Sequence, residues 1–246
     1  MPRFYCPVPL QVGQRVSLPD AVTRHAIGAL RLREGDAVTL FNGDGYEYDG
    51  VLAAHASLKE AGVQLLASQL ADRESPLRVT LAQGISSGDR MDITLQKSVE
   101  MGVMAIQPLN MRRSIVRLSG DKLEKRRAHW QAVVVSACEQ CGRNVVPQVL
   151  PILDFADWRR AQNDTSGLLL LLDPEAESSL PKLNALERGS AVTLLAGPEG
   201  GFDPVESTMA KAAGFVGVRL GPRVLRTETA ALAALAAMQV LWGDYR

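Results

Sequence analysis

The chain has little with which to staple, anchor or metallate itself. Its 246 residues include three cysteines and three histidines, and its formal net charge is zero. An odd number of cysteines supplies no disulfide framework. Cys6, Cys138 and Cys141 therefore fit a reducing, cytoplasmic setting. Cys138 and Cys141 form C-x-x-C, but inside a helical pattern and without a second pair. A redox pair is one reading of this motif; two small residues on one helix face is the other. A zinc site needs further ligands, and His25, His55 and His129 show no ligand spacing, so no metal is expected. Zero net charge removes any global pull toward nucleic acid. The N-terminus has no charged-then-apolar signal pattern. The longest apolar run, 230–242, is interrupted by Gln239 and is shorter than the roughly 20 residues a membrane span needs, so no membrane partner is expected. No internal repeat or low-complexity tract is present.

What is present is ordinary in amount and uneven in placement. An apolar content of 46% with 22% charged residues suits a folded globular chain. This length allows one large domain or two smaller ones. Between Arg112 and Arg127 seven basic residues face two acids, a local excess of five. From Asp154 to Glu187 seven acids face three bases.

Residues 1–71 alternate short apolar and polar stretches. Strands are predicted at 38–41, 46–52 and 63–66. Asn42-Gly43-Asp44-Gly45 is a hairpin turn between the first two, and a short helix is predicted over 20–30. This reads as a small β domain, ended by a linker at 71–76. Residues 76–246 then alternate strands (77–82, 105–109, 167–172, 191–196, 216–220) with helices (89–101, 122–141, 205–213, 227–242). Such alternation predicts an α/β domain with a parallel sheet covered on both faces. Parallel strands would bring residues 84–90, 110–114, 173–175, 197–202 and 221–228 to one edge, where open α/β sheets hold ligands.

Two of those segments carry the chemistry. Gly197-Pro198-Glu199-Gly200-Gly201-Phe202 lets backbone approach a flat ligand closely, with Pro198 stiffening the turn. It is neither a P-loop nor G-x-G-x-x-G, and a strand–helix connection without a ligand could use the same glycines. Leu220-Gly221-Pro222-Arg223-Val224-Leu225-Arg226-Thr227-Glu228-Thr229-Ala230 places Arg223, Arg226 and Glu228 at the start of a helix, where packing explains three charges poorly. Thr227 suits an N-cap there.

These two loops resemble the signature of the RsmE-type 16S ribosomal RNA uracil-N3 methyltransferases, of the knotted SPOUT class. The resemblance extends to Met1-Pro2-Arg3-Phe4-Tyr5, to Gln96-Lys97-Ser98-Val99-Glu100-Met101-Gly102-Val103 and to Ala137-Cys138-Glu139-Gln140-Cys141-Gly142-Arg143, and so covers nearly the whole chain. It departs at Ser87, where the family often has a basic residue, which implies one phosphate contact fewer.

The resemblance implies a PUA-like RNA-binding β-barrel over 1–71 and a SPOUT domain over 76–246, with a trefoil knot at about 190–242. It implies a homodimer, with S-adenosyl-L-methionine as cofactor. The apolar helix 227–242 agrees with burial on more than one side, although burial within one subunit would serve as well. The implied substrate is the uridine at position 1498 of 16S rRNA in the 30S subunit. Other SPOUT reactions, such as ribose 2′-O-methylation of tRNA, and a non-catalytic assembly role are the alternatives. Leu195, Ala196, Gly197, Pro198, Glu199, Gly200, Gly201, Leu220, Gly221, Val224, Leu225, Thr229 and Ala230 are the implied cofactor contacts.

Uracil N3 carries a proton at neutral pH, so the reaction needs a proton acceptor and donors for the carbonyl oxygens that gather charge. Arg143 and Arg226 are candidate donors. Glu139 and Glu228 are candidates for accepting the proton or orienting those arginines; a solvated or ion-paired helix position is the other reading of Glu139. Phe202 could flank an extruded base or anchor the core. Candidate RNA contacts are Arg3, Arg24, Arg31, Arg33, Arg90, Arg112, Arg113 and Arg117, with Lys122, Arg126 and Arg127. Basic residues of this kind position RNA without reading its bases. A solvated helix face with local pairs such as Glu124 with Arg127 is the alternative for that stretch.

Overall fold

The computed structural model describes residues 1–54, 61–161 and 167–245; His55 lies outside them. The chain divides into two compact units, Met1–Glu74 with Cys138–Val146, and Ser75–Ala137 with Pro147–Arg246.

In the first unit, β1 (Arg3–Tyr5), β2 (Arg15–Ser17), β3 (Ala37–Phe41), β4 (Tyr46–Leu52) and β5 (Gly62–Leu70) form one sheet in the order β1-β3-β4-β5-β2. Only β1 and β3 run parallel; the other pairs are antiparallel. Among the described residues the pairing is an open path rather than a closed ring, with β1 and β2 at its ends. The predicted hairpin joins β3 to β4, and the Asn42 side chain accepts a 3.1 Å bond from the Asp44 N–H to hold the turn. The predicted helix over 20–30 is split: α1 (Asp20–Thr23) continues as a π-helical turn through Arg24–Ala29. Phe4, Val16, Val38, Leu40, Val63 and Leu65 are buried in one cluster.

Residues 138–146 belong to this unit, although the sequence pattern leaves them with the second. The reason is polar. Gly142 O accepts from the Arg3 and Arg73 guanidiniums, Asn144 bridges Arg3 and Ala71 O, and Arg143 binds Glu74.

The second unit contains β6 (Arg78–Gly84), α2 (Asp89–Glu100), β7 (Ala105–Asn110), most of α3 (Asp121–Cys141), β8 (Gln148–Val149), β9 (Leu153–Asp154), α4 (Phe155–Ala161), β10 (Leu168–Leu172), β11 (Ala191–Ala196), α5 (Pro204–Ala212), β12 (Val216–Val218) and α6 (Thr227–Trp242). Every strand pair is parallel, in the order β12-β10-β11-β6-β7-β8, with β9 also on β7. The central strands read as near-continuous apolar runs because both faces are covered. α2 and α6 pack on each other. Elsewhere Phe155, Trp158 and Phe215 cluster with Leu109, Leu171 and Leu195. β12 ends at Val218, two residues before the expected end; the Arg219 N–H turns to Ser178 O at 3.0 Å. Gln239, the polar break in the apolar run, is buried in α6. It donates to Met101 O at 2.8 Å and accepts from the Ser75 hydroxyl at 2.8 Å. Among the described residues no helix is long and apolar enough to cross a membrane.

Candidate functional site

The loops that follow β6, β7, β10, β11 and β12 gather at the C-terminal edge of the parallel sheet, as parallel pairing requires. Between them lies a cleft of about 460 Å³. The β11 loop contributes Ala196, Gly197, Pro198, Glu199, Gly201 and Phe202; the last loop contributes Val224, Leu225, Arg226, Thr227, Glu228 and Ala230; Arg90, Leu172 and Pro174 complete the wall. A smaller cavity continues past Leu172 and Leu225 to Leu220 and Gly221. Most of the expected cofactor contacts therefore meet. Leu195, Gly200 and Thr229 line neither cavity. Leu195 is fully buried in the sheet core, Thr229 faces solvent, and Gly200 is packed on another loop.

That packing is close. A Cβ on Gly200 would lie 2.8 Å from Arg113 O, and a Cβ on Gly84 would lie 2.6 Å from the Pro198 ring nitrogen. Only glycine lets the β6 and β7 loops touch the β11 loop in this way.

Gln83, at the end of β6, is the hub beneath the cleft and is fully buried. Its Nε2 donates to Gly84 O at 3.0 Å, Gly197 O at 3.2 Å and the Thr227 hydroxyl at 3.1 Å. The Thr227 hydroxyl donates in turn to Gly197 O at 2.6 Å. Thr227 is thus not the N-cap its sequence position suggested. Arg226 occupies the cap position without a side-chain cap bond, and Thr227 ties the two signature loops together instead. The sequence did carry a signal for Gln83, an amide inside an apolar strand at its ligand-facing end.

Glu199 is held from below. The Ser87 N–H and hydroxyl each donate to its Oε1 at 2.7 Å, and Arg90 does so at 3.1 Å. Burial pushes its pKa up, but these donors outweigh burial and hold it below the usual carboxylate range. Ser87, the departure from the family pattern, here anchors a cleft carboxylate. Phe202 both lines the cleft and packs against the core cluster containing Phe215.

The four expected catalytic side chains fall in different units. Arg226 is exposed and Glu228 half-buried at the N-terminus of α6, both in the cleft wall. Arg143 and Glu139 belong to the first unit. Arg143 is 5% exposed and holds Glu74 through Nε and Nη2. Glu139 accepts the Tyr5 N–H at 3.0 Å. Burial pushes the Glu139 pKa up, and the Tyr5 bond and nearby His25 and Arg3 only partly oppose it.

The basic candidates divide similarly. Arg3 is committed within its unit, to Glu47, Gly142 O, Asn144 and the face of Phe41. Arg24, Arg31 and Arg33 are exposed. In the second unit Arg112 and Arg113 reach the rim of the glycine loop, Arg112 to Asp203 at 3.4 Å and Arg113 to Gly200 O at 3.4 Å. Arg117, Lys122 and Arg126 are exposed, and Arg127 pairs with Glu124 as the local-pair reading held. Cys138 is buried, and desolvation pushes its thiol up to about 12, which disfavours its thiolate. Among the described residues no group of side chains could hold a metal.

The cleft's donor and acceptor balance says what it can hold. Gln83 Oε1, Glu199 Oε2 and Glu228 Oε2 are buried without hydrogen-bond partners. Unpaired acceptors of this kind call for a ligand rich in N–H and O–H groups, or one carrying positive charge. The residues fit a nucleoside cofactor with an amino-acid ammonium and a sulfonium.

Known proteins agree. The RNA methyltransferase domain family matches residues 73–239 and the RNA methyltransferase PUA domain family matches residues 18–59. The structure resembles a ribosomal RNA small subunit methyltransferase E from Neisseria gonorrhoeae bound to S-adenosyl methionine, with 46% identity, a TM-score of 0.91 and full coverage of both chains. It also resembles a Legionella pneumophila structure in complex with bound SAM, at 37% identity, a TM-score of 0.93 and 98% coverage of both. Ribosomal RNA small subunit methyltransferase E of Buchnera aphidicola is 34% identical over 99% of this chain and 98% of that protein. Its Bacillus subtilis counterpart is 30% identical over 93% and 92%. Likeness of this degree along almost the entire length shows that the chain belongs to the ribosomal RNA small subunit methyltransferase E family.

Proposed function

We propose that this chain methylates N3 of a uridine, that at position 1498, in 16S rRNA of the small ribosomal subunit, with S-adenosyl-L-methionine as methyl donor. The observation that carries the reading is the cleft at the sheet's C-terminal edge, in whose wall Glu199 and Glu228 each keep a buried oxygen without a partner. Relatives solved with the same cofactor support it.

When bound, the cofactor supplies an electrophilic methyl group on a sulfonium. The backbone of residues 196–201 and 220–225 would hold it, and Glu199, fixed by Ser87 and Arg90, would accept hydrogen bonds from it. Glu228 takes the N3 proton through Oε2, the oxygen without a partner. In the displacement the cofactor would supply the methyl group to N3 and retain the sulfur–carbon electron pair. Charge that builds on the uracil carbonyl oxygens is met by Arg226 and by the free N–H groups at the start of α6, where the helix dipole favours an anion. Arg143 and Glu139 support the fold of their own unit. Arg112, Arg113, Arg117, Lys122 and Arg126, with Arg24, Arg31 and Arg33, hold phosphates.

Three further expectations complete the reading. The likeness of the two glycine-containing loops to the family signature carries the expectation of a trefoil knot at about 190–242. The exposed Val240 on the apolar helix α6 supports a homodimer. The site of action is the cytoplasmic 30S particle.

Calorimetry with S-adenosyl-L-methionine tests the foundation. Saturable binding weakened by Glu199→Gln is expected; no heat of binding would reduce the chain to an assembly factor that keeps the fold.

A further inference from the structure

A second cavity, of about 540 Å³, shares no lining residue with the cofactor cleft. Its wall is built from the end of β7 and the loop after it, Asp154 at the end of β9, the start of α4, and α5. Glu206 of α5 forms part of that wall and is 4% exposed. Its Oε1 accepts the Arg112 N–H at 2.9 Å, while its Oε2 is buried without a partner. Asn110 stands in the same wall. Its amide nitrogen donates to Leu118 O at 3.2 Å, which leaves its buried Oδ1 unpartnered too. At the mouth Arg112 and Arg117 are exposed.

The cavity thus has acceptors in its wall and cations at its mouth. A carboxylate oxygen buried without a donor is costly, and a ligand bringing N–H groups to it removes that cost. The ligand must also carry an anion at its other end. We propose that this cavity holds one nucleotide of the substrate RNA, distinct from the target uridine, whose base bears an exocyclic amino group and whose phosphate meets Arg112 and Arg117. Adenine, cytosine and guanine present N–H donors to a carboxylate, as Glu and Asp accept from cytosine N4 in base readout. Uracil brings carbonyl oxygens beside its single N–H and is disfavoured against two acceptors. The cavity reads a neighbouring base, and the cleft acts on the uridine. The inference rests on the chain acting on RNA, but base binding is measured without methyl transfer.

The test uses the whole chain with nucleoside 5′-monophosphates, followed by methyl NMR at Leu118 and Met209 and run with saturating S-adenosylhomocysteine to block the cofactor cleft. At least one of AMP, CMP and GMP is expected to shift these signals at least about fivefold more tightly than UMP, the low end of one base-edge contact. Glu206→Gln keeps an acceptor for the Arg112 N–H and replaces Oε2 with a donor, so it should erase that preference while cofactor affinity stays within about twofold. Equal binding of UMP, identical shifts from inorganic phosphate alone, or an unchanged preference in Glu206→Gln would each overturn the proposal. Cofactor binding with no base preference would leave the methyltransferase reading intact and sink this one alone.

Discussion

The carboxylate-bound arginines of the first unit and the rim arginines of the second are used in opposite ways, while Arg24, Arg31 and Arg33 of the first unit are exposed like the rim group. In the first, Arg3 and Arg73 converge on the buried Glu47, and Arg143 is locked to Glu74. In the second, Arg112, Arg117 and Arg226 are exposed at the sheet edge, beside two cavities. The first pattern holds a fold together, because removing one partner of a buried pair strands the other's charge. The second leaves guanidiniums available to an anion. Charge count along a sequence does not separate these cases; the position of the carboxylates does.

The largest effect expected from this comparison is on stability in the first unit. Arg143→Ala should cost about 3 kcal/mol in urea denaturation, since its guanidinium is nearly enclosed and Glu74 is left unpaired. A loss below about 0.5 kcal/mol, typical of an unconstrained surface change, would place Arg143 with the free arginines and revive it as a substrate contact. Next is Gly84→Ala. The added methyl meets the Pro198 ring nitrogen at 2.6 Å and Met111 Sδ at 2.8 Å, so overpacking should cost about 2 kcal/mol. Weaker cofactor binding by calorimetry should accompany it, because the glycine loop must move.

Smaller in stability, but opposite in function, are the rim arginines. Arg117→Ala should change stability by less than about 0.5 kcal/mol. It should lower the salt dependence of RNA binding by about one unit in the log–log slope. A stability loss as large as that of Arg143→Ala, with an unchanged salt slope, would dissolve the contrast. The smallest effect concerns Glu139. Burial raises its folded pKa, so its charge opposes folding at neutral pH, and stability is regained as pH falls through that raised value. Glu139→Gln, which still accepts the Tyr5 N–H, should therefore be slightly more stable than the parent at pH 7, with the advantage shrinking on acidification. Glu47 has the opposite sign. Burial raises its pKa, but the Arg73 and Arg3 bonds lower it further, so its contribution is present above the unfolded carboxylate value and lost as pH falls.

Much of this was legible in the chain itself. α6 matches its predicted bounds because an apolar helix face, broken only at Gln239, starts after Arg226 and stops at Gly243. The hairpin matches because Asn42-Gly43-Asp44-Gly45 leaves few other conformations. β1 and β2 were not legible, since three residues cannot establish a period of two. Residues 138–141 finish α3, whose earlier turns belong to the other unit, and no local pattern marks where one unit ends. At the site, the signature loops announced themselves through glycine and charge. The restraint of Arg3 did not, because its partners Glu47 and Asn144 lie far away in sequence. Glu206 was missed for a related reason: a buried polar side chain on a helix is recognised only when its surroundings are known.

The central claim is that the glycine-loop cleft directs a methyl group to uracil N3. Unmodified small subunits incubated with this chain and isotope-labelled S-adenosyl-L-methionine, then digested to nucleosides and resolved by mass spectrometry, test it most directly. Labelled N3-methyluridine from position 1498, strongly reduced in Glu228→Gln, is the predicted result; label on a ribose 2′-oxygen, or no label in the RNA, would contradict it.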